Sequence, residues 1–285
     1  MKSLHDVPAP AKLNLFLHVV GRRADGMHLL QSAFVLIDWS DTLHFELRPN
    51  GGLSREDLGK ALPAHDLVLA AAQALQSASG TRFGAHIAID KRVPAQAGMG
   101  GGSSDAATCL LALNRLWNLN YPLSKLAQIG LALGADVPFF LGGRNAWVEG
   151  VGERLTPLDL PPARFAVARP REGLETARIF QDEQLERSSA PAIISGFAAN
   201  PYAFGENVLQ PVAQRLCPGV TEALEWLGSQ DVAARMTGSG SAVFGLIAQG
   251  KALQAAPAGW QVRACGSLEV HPLVGWAPSD DSVGG

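Results

Sequence analysis

The sequence has few cysteines, no long apolar run and no excess of positive charge. Its three cysteines, Cys109, Cys217 and Cys265, lack the close spacings of metal sites and disulfide frameworks, so we expect reduced thiols. A net charge of −3 argues against a nucleic-acid binder or a membrane-surface binder, because both need a broad basic field. Charges and two prolines within residues 1–14 do not suit a signal peptide, and we therefore expect a soluble, cytoplasmic protein.

Lysine is missing from the glycine-rich stretch PAQAGMGGGSSDAA, which occupies residues 94–107. Alternating isoleucines predict a strand before this stretch, and apolar residues at helical spacing predict a helix after it, with Ser103, Ser104 and Asp105 at its capping end. Backbone N–H groups at a helix start are unpaired and bind phosphate without any side chain. The stretch therefore predicts a phosphate-binding loop.

The residues of this stretch exclude one well-known phosphate loop and give only weak support to a second. A Walker loop needs Gly-Lys-Ser or Gly-Lys-Thr where the chain has Gly102, Ser103 and Ser104. A dinucleotide-binding fingerprint needs a glycine at position 103 and an acidic residue about 20 positions later, and both are missing. A tight turn before an ordinary capped helix is the alternative, but a turn needs one or two glycines rather than four in five positions.

Two charged residues outside the loop are candidates for chemistry. Lys12 begins a predicted strand among apolar neighbours, and the two-residue alternation of a strand places Asn14 on the same face. Asp136 lies among apolar residues in LGADVPFF, where a carboxylate needs a role such as accepting a proton from an alcohol. The alternatives are a solvated surface lysine and a loop aspartate that bonds its own backbone.

The remaining pattern predicts an α+β chain. Extended segments at 13–20, 32–39 and 42–47 are separated by a turn and by a polar link at Ser40 and Asp41. Asp66 and Ser124 are predicted to cap helices, and residues 139–155 are predicted to be extended segments joined by glycines. A proline-rich linker near residue 159 predicts a division into two lobes, and the composition after residue 271 predicts a loosely held tail. TGSGS at 237–241 does not fit a hydrolase nucleophile elbow and by itself indicates a hairpin turn.

Taken together, six segments in order resemble the GHMP kinase superfamily: PAPAKLNLFLHV, GRRADGMH, PAQAGMGGGSSDAA, LGADVPFFL, EGVGE and RMTGSGSAVF. The resemblance implies a two-lobed GHMP kinase fold. The N-terminal lobe, 1–158, would resemble domain 2 of ribosomal protein S5 and carry the ATP loop. The C-terminal lobe, 159–285, would be ferredoxin-like, with the active site in the cleft between the lobes.

Within the superfamily, the segments resemble the branch that phosphorylates the 2-hydroxyl of 4-diphosphocytidyl-2-C-methyl-D-erythritol in the non-mevalonate route to isoprenoid precursors. This resemblance implies ATP and Mg²⁺, with Asp136 as general base and Lys12 as its electrostatic partner. The implied ATP loop is Pro94, Ala95, Gln96, Ala97, Gly98, Met99, Gly100, Gly101, Gly102, Ser103 and Ser104. The implied substrate-binding residues are Asn14, Met27, His28, Phe180, Thr237, Gly238 and Ser239. The metal ligands and the oligomeric state stay open.

The chain departs from the family pattern at two positions. Met27 replaces a tyrosine beside His28, so a thioether stands where an aromatic ring would form one wall of the cytosine site. Asp66 replaces an expected asparagine at a helix start. Two alternatives remain, a GHMP kinase for a different alcohol, such as a mevalonate- or homoserine-type substrate, and a non-catalytic nucleotide-binding protein of the same fold.

Overall fold

The computed structural model describes residues 1–59, 61–62 and 66–280, which form a large sheet with helices packed against it. The strands are β1 Ser3–Arg22, β2 His28–Arg48, β3 Leu53–Asp57, β4 Gly84–Asp90, β5 Ala146–Gly150, β6 Arg154–Pro157, β7 Arg164–Arg169, β8 Ala234–Met236, β9 Val243–Leu246 and β10 Gln261–Leu268. The helices are α1 Leu67–Ser79, α2 Gly101–Leu116, α3 Leu123–Leu133, α4 Val137–Gly142, α5 Thr176–Gln181, α6 Ile194–Ala199, α7 Gln210–Leu216 and α8 Pro218–Gly228. In this described part of the chain, no helix is long and apolar enough to cross a membrane.

The strands pair in the order β3-β4-β2-β10-β7-β9-β8, and β1 and β5 also pair with β2. The long strand β2 is the centre of this arrangement. It pairs with β1 along most of its length, with β4 through its second half and with β5 through its first half. Two residues near its middle, Leu36 and Ile37, pair with β10, so hydrogen bonds join the N-terminal strands to the C-terminal ones.

Three apolar clusters hold the elements together. The first lies between the N-terminal strands and α1 to α4, and the second lies between the C-terminal strands and α7 and α8. The third joins the two, because Leu13 and Leu15 of β1 pack in the same cluster as Phe165 of β7 and Phe244 of β9. Burying this much apolar surface is the main term that favours folding. Cys109, Cys217 and Cys265 are buried and free, as their spacing predicts.

The polar link predicted at Ser40 and Asp41 is wrong, because both residues lie within the continuous strand β2. The side chain of Asp41 is fully buried, and its Oδ1 accepts hydrogen bonds from the backbone N–H groups of Arg92 and Val93 at 2.6 and 2.7 Å. A buried carboxylate is tolerated in a strand when its oxygens are paired in this way. The polar residues therefore do not interrupt β2. Asp41 instead binds the backbone of the segment that follows β4.

Two local predictions on the C-terminal side of the glycine stretch are also wrong. Residues 139–142, predicted as extended, belong to the short helix α4, because proline suits the first turn of a helix and Gly143, at a φ of 67°, ends it. The rest of that prediction is confirmed, since β5 and β6 follow. Ser124 does not cap α3, which begins at Leu123, directly after Pro122. The Ser124 hydroxyl instead donates to the carboxylate of Asp280 at 2.5 Å.

The segment after residue 271, expected to be loosely held, packs against the first lobe as far as the structure describes it. Leu273 is buried in the first cluster, and the guanidinium of Arg115 lies 5.0 Å from the ring of Trp276. The backbone N–H of Leu123 donates to the carbonyl of Pro278 at 3.1 Å. Apolar side chains thus hold this segment in place although it is rich in turn-forming residues. Residues 281–285 of the predicted tail lie outside the described residues.

Candidate active site

One large cavity brings together nearly all of the residues that the sequence singled out. Its volume is about 1030 Å³, and its walls come from β1, the start of β2, the glycine stretch, α5 and the turn before β9. The predicted site residues on its walls are Lys12, Asn14, Met27, His28, Pro94, Ala95, Gln96, Ala97, Gly98, Met99, Gly100, Gly101, Gly102, Ser103, Asp136, Phe180, Gly238 and Ser239. Ser104 and Thr237 do not line it.

Lys12 and Asp136 form an ion pair on the cavity wall. The ammonium of Lys12 lies 3.4 Å from Oδ2 of Asp136 and donates a 2.5 Å hydrogen bond to Oδ1 of Asn14. It also lies 4.2 Å from the centre of the Phe34 ring, within the range of a cation–π contact. Asn14 is held in turn by a hydrogen bond from its side-chain amide to the Ser32 hydroxyl at 2.9 Å. The strand alternation that predicts Lys12 and Asn14 on one face is confirmed.

Burial makes the charged form of Lys12 unfavourable. The residue is 3% exposed, and burial lowers its pKa, an effect that the nearby Asp136 carboxylate partly opposes. Asp136 keeps 29% of its side chain exposed, so its carboxylate remains accessible from the cavity. A cation fixed beside an accessible carboxylate is an arrangement that can receive a proton and stabilise developing negative charge.

The glycine stretch leads into α2, but the helix begins earlier than the sequence predicts. Its first residue is Gly101, and its N-cap is Gly100, whose φ of 70° places it in the left-handed region. A side chain there would also meet Phe140, because a Cβ atom on Gly100 would lie 2.9 Å from Cζ of that ring. The residues at the start of the helix line the cavity, and the first N–H groups of a helix have no partner within it, so they can bind an anion there.

The expected capping role of Ser103, Ser104 and Asp105 is therefore wrong, since all three lie inside the helix. The backbone N–H of Ser104 already donates to the carbonyl of Gly100, and its buried hydroxyl donates to the carbonyl of Pro10 at 2.7 Å. Ser104 thus fixes α2 to β1. Ser103 alone of the three lines the cavity.

The turn at 237–241 packs directly on the glycine stretch. Backbone N–H groups of Ser241 and Ala242 donate to the carbonyls of Gln96 and Ala97, each at 3.2 Å. At Gly98 the approach is so close that a Cβ atom would lie 2.1 Å from the carbonyl oxygen of Thr237. Thr237 is fully buried, and its hydroxyl accepts a hydrogen bond from the backbone N–H of Asn14 at 2.9 Å. Thr237 therefore connects β1 to the turn, while Gly238 and Ser239 face the cavity.

Sequence reasoning missed a second lysine on the wall. Lys91, at the end of β4, donates to the carboxylate of Asp105 at 2.6 Å and to that of Asp41. Burial, together with the neighbouring negative charge of Asp41, raises the pKa of Asp105 to about 8, although Lys91 opposes the shift. The sequence signals for this cluster are weak, because its members lie far apart in the sequence. They are Lys91 in DKR, before the glycine stretch, and Asp105 in SSDAA.

The far end of the cavity is lined by Met27, His28 and Phe180. The rings of His28 and Phe180 lie with their centres 4.9 Å apart and their planes at 33°. Met27 is 51% exposed, which leaves its thioether accessible at the rim. Asp66, on the cavity wall, caps α1 as predicted, because Oδ1 accepts from the N–H groups of Val68 and Leu69. Its other oxygen pairs with Arg55, which offsets its negative charge.

Comparison with known proteins finds matches along most of the chain. Residues 66–144 match the GHMP kinases N terminal domain, and residues 189–261 match the GHMP kinases C terminal domain. The chain is 66% identical over 280 residues to a protein of Albidiferax ferrireducens named 4-diphosphocytidyl-2-C-methyl-D-erythritol kinase, covering 98% of each. A protein of Variovorax paradoxus with the same name is 64% identical over 295 residues, covering 97% of this chain and all of that protein.

Solved structures of kinases also match the fold of this chain. A crystal structure of 4-(cytidine 5'-diphospho)-2C-methyl-D-erythritol kinase is 33% identical, with a TM-score of 0.75, and the match covers 93% of this chain and 98% of that one. A homoserine kinase from Cytophaga hutchinsonii matches with a TM-score of 0.64 over 87% of this chain and 85% of its own, but at 15% identity this shows the fold alone. The two-lobed α+β fold predicted from the sequence is confirmed.

Proposed function

The chain belongs to the 4-diphosphocytidyl-2-C-methyl-D-erythritol kinases of the GHMP kinase family, and from that membership we propose how its cavity performs the reaction. It is an ATP-dependent kinase that transfers a phosphoryl group to the 2-hydroxyl of 4-diphosphocytidyl-2-C-methyl-D-erythritol, a step in the formation of isoprenoid precursors. The observation that carries the mechanism is the Lys12–Asp136 ion pair on the wall that also holds the start of α2.

Asp136 is the general base. Its carboxylate accepts the proton of the 2-hydroxyl while the hydroxyl oxygen forms a bond to the γ-phosphorus of ATP, and the bond from that phosphorus to the bridging oxygen breaks to release ADP. Lys12, 3.4 Å from Asp136, stabilises the negative charge on the attacking oxygen and on the transferred group. Asn14 fixes the ammonium in place through its 2.5 Å hydrogen bond.

The phosphates of ATP bind to backbone N–H groups of Gly101, Gly102 and Ser103 at the N-terminus of α2, where the helix dipole favours an anion. Cε of Lys12 lies 3.2 Å from the position of a Cβ atom on Gly100, so the cation and the helix start share one part of the cavity. The positive charge that the loop itself lacks comes from Lys12. The turn at 237–241 supports the loop from the other lobe through the carbonyl contacts of Gln96 and Ala97.

Mg²⁺, which the kinase family implies, would be held mainly by the phosphates of ATP. Among the described residues, no group of three His, Cys, Asp or Glu side chains could hold a metal ion by itself. Mg²⁺ is commonly bound by few protein oxygens together with the phosphates of the substrate, and the Ser103 hydroxyl on the cavity wall fits such a site. When bound, the ion neutralises charge on the phosphate oxygens.

The cytidyl end of the substrate lies against Met27, His28 and Phe180, which line the end of the cavity away from the helix start. Phe180 offers an aromatic face to the base, and the thioether of Met27 provides an apolar contact of lower specificity than a ring. We also propose that the chain divides into two lobes near residue 159 and that the protein acts in the cytoplasm.

A substrate comparison tests this function. The purified protein is incubated with Mg-ATP and, separately, with the cytidyl substrate, mevalonate and homoserine, and formation of ADP and of the phosphorylated alcohol is measured. We expect turnover of the cytidyl substrate alone. Turnover of another alcohol without turnover of the cytidyl substrate would refute the assignment, and ATP binding without any turnover would favour a non-catalytic nucleotide-binding protein.

A further inference from the structure

Arg187 lies outside every motif of the sequence, yet its guanidinium connects the two sides of the cytidyl end of the cavity. Its Nε donates to Nε2 of His28 at 3.2 Å, on the first residue of β2. Its Nη2 donates to the carbonyls of Phe180 and Asp182 at 3.2 and 2.7 Å, and its Nη1 donates to the carbonyl of Leu185 at 3.2 Å. One side chain therefore ties the segment that carries Phe180 to the start of β2.

The hydrogen bond from Arg187 determines which ring nitrogen of His28 carries the proton. A guanidinium carries donors and no acceptor, so Nε2 of His28 must accept and cannot hold a hydrogen. A neutral imidazole with a bare Nε2 carries its proton on Nδ1. Burial and the positive charges of Arg187 and Arg22 lower the pKa of His28, which keeps the ring neutral at neutral pH. His28 thus has one N–H donor, on Nδ1.

A fixed donor in a base-binding site distinguishes two similar pyrimidines. Cytosine presents a bare ring nitrogen, N3, which accepts a hydrogen bond, whereas N3 of uracil carries a hydrogen. An N–H group that faces another N–H group is left without a partner, and an unpaired polar group at a binding contact weakens binding. His28 is suited to this task because it lines the cavity and its ring is packed against Phe180.

We propose that Arg187 is a positioning residue that holds His28 with its proton on Nδ1 and thereby makes the site select a cytosine base over a uracil base. The inference rests on the proposed function, since it assumes that the base binds at the end of the cavity lined by His28 and Phe180. Arg187 acts through His28 and the carbonyls of residues 180–185.

The position of the proton is measured on the unmodified protein by nitrogen-15 NMR of its histidine side chains at neutral pH. The His28 signals are assigned by their loss in the His28→Gln variant. We expect a protonated Nδ1 and a bare Nε2. The opposite tautomer would overturn the inference, and this result needs no variant of Arg187 to fold.

Base selection is measured as the ratio of kcat/KM for the cytidyl substrate to that for its uridyl analogue. We expect Arg187→Met to lower this ratio about tenfold, the effect of one hydrogen bond, while KM for ATP stays unchanged. The matched control is Arg215→Met, because Arg215 pairs with the carboxylate of Asp182 at 2.7 Å on the same segment and has no bond to His28. This control should keep the ratio of the unmodified protein.

An unchanged ratio in Arg187→Met, or an equal fall in Arg215→Met, would overturn the role of Arg187. Failure of the unmodified protein to use the cytidyl substrate would instead refute the proposed function, and the NMR measurement would still decide the tautomer. The two failures are therefore distinguishable.

Discussion

Replacing Lys12 with methionine separates the catalytic role that we propose for this residue from its role in stability. At a distance of 3.4 Å, its ammonium and the Asp136 carboxylate attract each other by about 5 kcal/mol at an effective dielectric constant of about 20. Burial opposes this attraction and is the larger effect, since the pKa of Lys12 is lowered in spite of Asp136. A lysine pKa that is lower in the folded state means that the charged form destabilises the folded protein at neutral pH.

Methionine has nearly the shape of the lysine side chain and carries no charge. We therefore expect the free energy of unfolding of Lys12→Met to stay within about 1.5 kcal/mol of the unmodified protein, because Asp136 is partly exposed and water can solvate it. The expected effect of Lys12→Met on kcat is much larger than its effect on stability. Removing a preorganised charge from the site should lower kcat about 10²- to 10³-fold.

The assay measures kcat with the cytidyl substrate and Mg-ATP, alongside urea unfolding of the same preparations. Lys125→Met is the matched control, because Lys125 is exposed on α3 and should leave both quantities unchanged. A Lys12→Met protein with near-normal kcat would refute the electrostatic role of Lys12. A loss of several kcal/mol in stability would show that the residue is chiefly structural.

Two further predictions concern the surroundings of the loop. Gly100→Ala should weaken ATP binding measured by calorimetry and lower the melting temperature, because its φ of 70° and the 2.9 Å approach to Phe140 leave no room for a Cβ atom. Gly142→Ala, where a Cβ atom would meet nothing within 4 Å, should leave ATP binding unchanged, and equal effects would contradict the steric argument. Burial and the charge of Asp41 raise the pKa of Asp105 to about 8, so the stability from its protonated form is complete below about pH 4 and is lost as the pH rises through 8. Urea unfolding between pH 5 and pH 8 should show a smaller decline for Asp105→Asn than for the unmodified protein, and an equal decline would contradict this.

Local periodicity was sufficient to predict part of the site. The two-residue alternation of a strand predicted Lys12 and Asn14 on one face, and they are joined by a hydrogen bond. Glycine content predicted a loop that opens onto a helix, and α2 begins there. These predictions succeeded because the determining contacts are close in sequence, within one strand or one turn.

Other features depend on contacts that are distant in sequence and carry no local signal. The sequence around Asp41 predicts a polar link, and its partners, Arg92 and Val93, give no local signal because they lie 51 and 52 residues away. Arg187 has no motif around it, and its contact with His28 spans 159 residues. Ser104 is predicted to be part of the ATP loop, whereas its hydroxyl donates to the carbonyl of Pro10. Polar residues of this kind are decided by tertiary partners rather than by their neighbours in sequence.

The central claim is that Asp136 accepts the proton of the acceptor hydroxyl, and the most direct test is the kcat of Asp136→Asn with the cytidyl substrate, measured together with ATP affinity. Asparagine keeps the shape of the side chain and cannot take the proton. We predict a loss of about 10²- to 10⁴-fold in kcat, the usual contribution of a general base, with ATP affinity unchanged. A variant that turns over at a near-normal rate would contradict the mechanism.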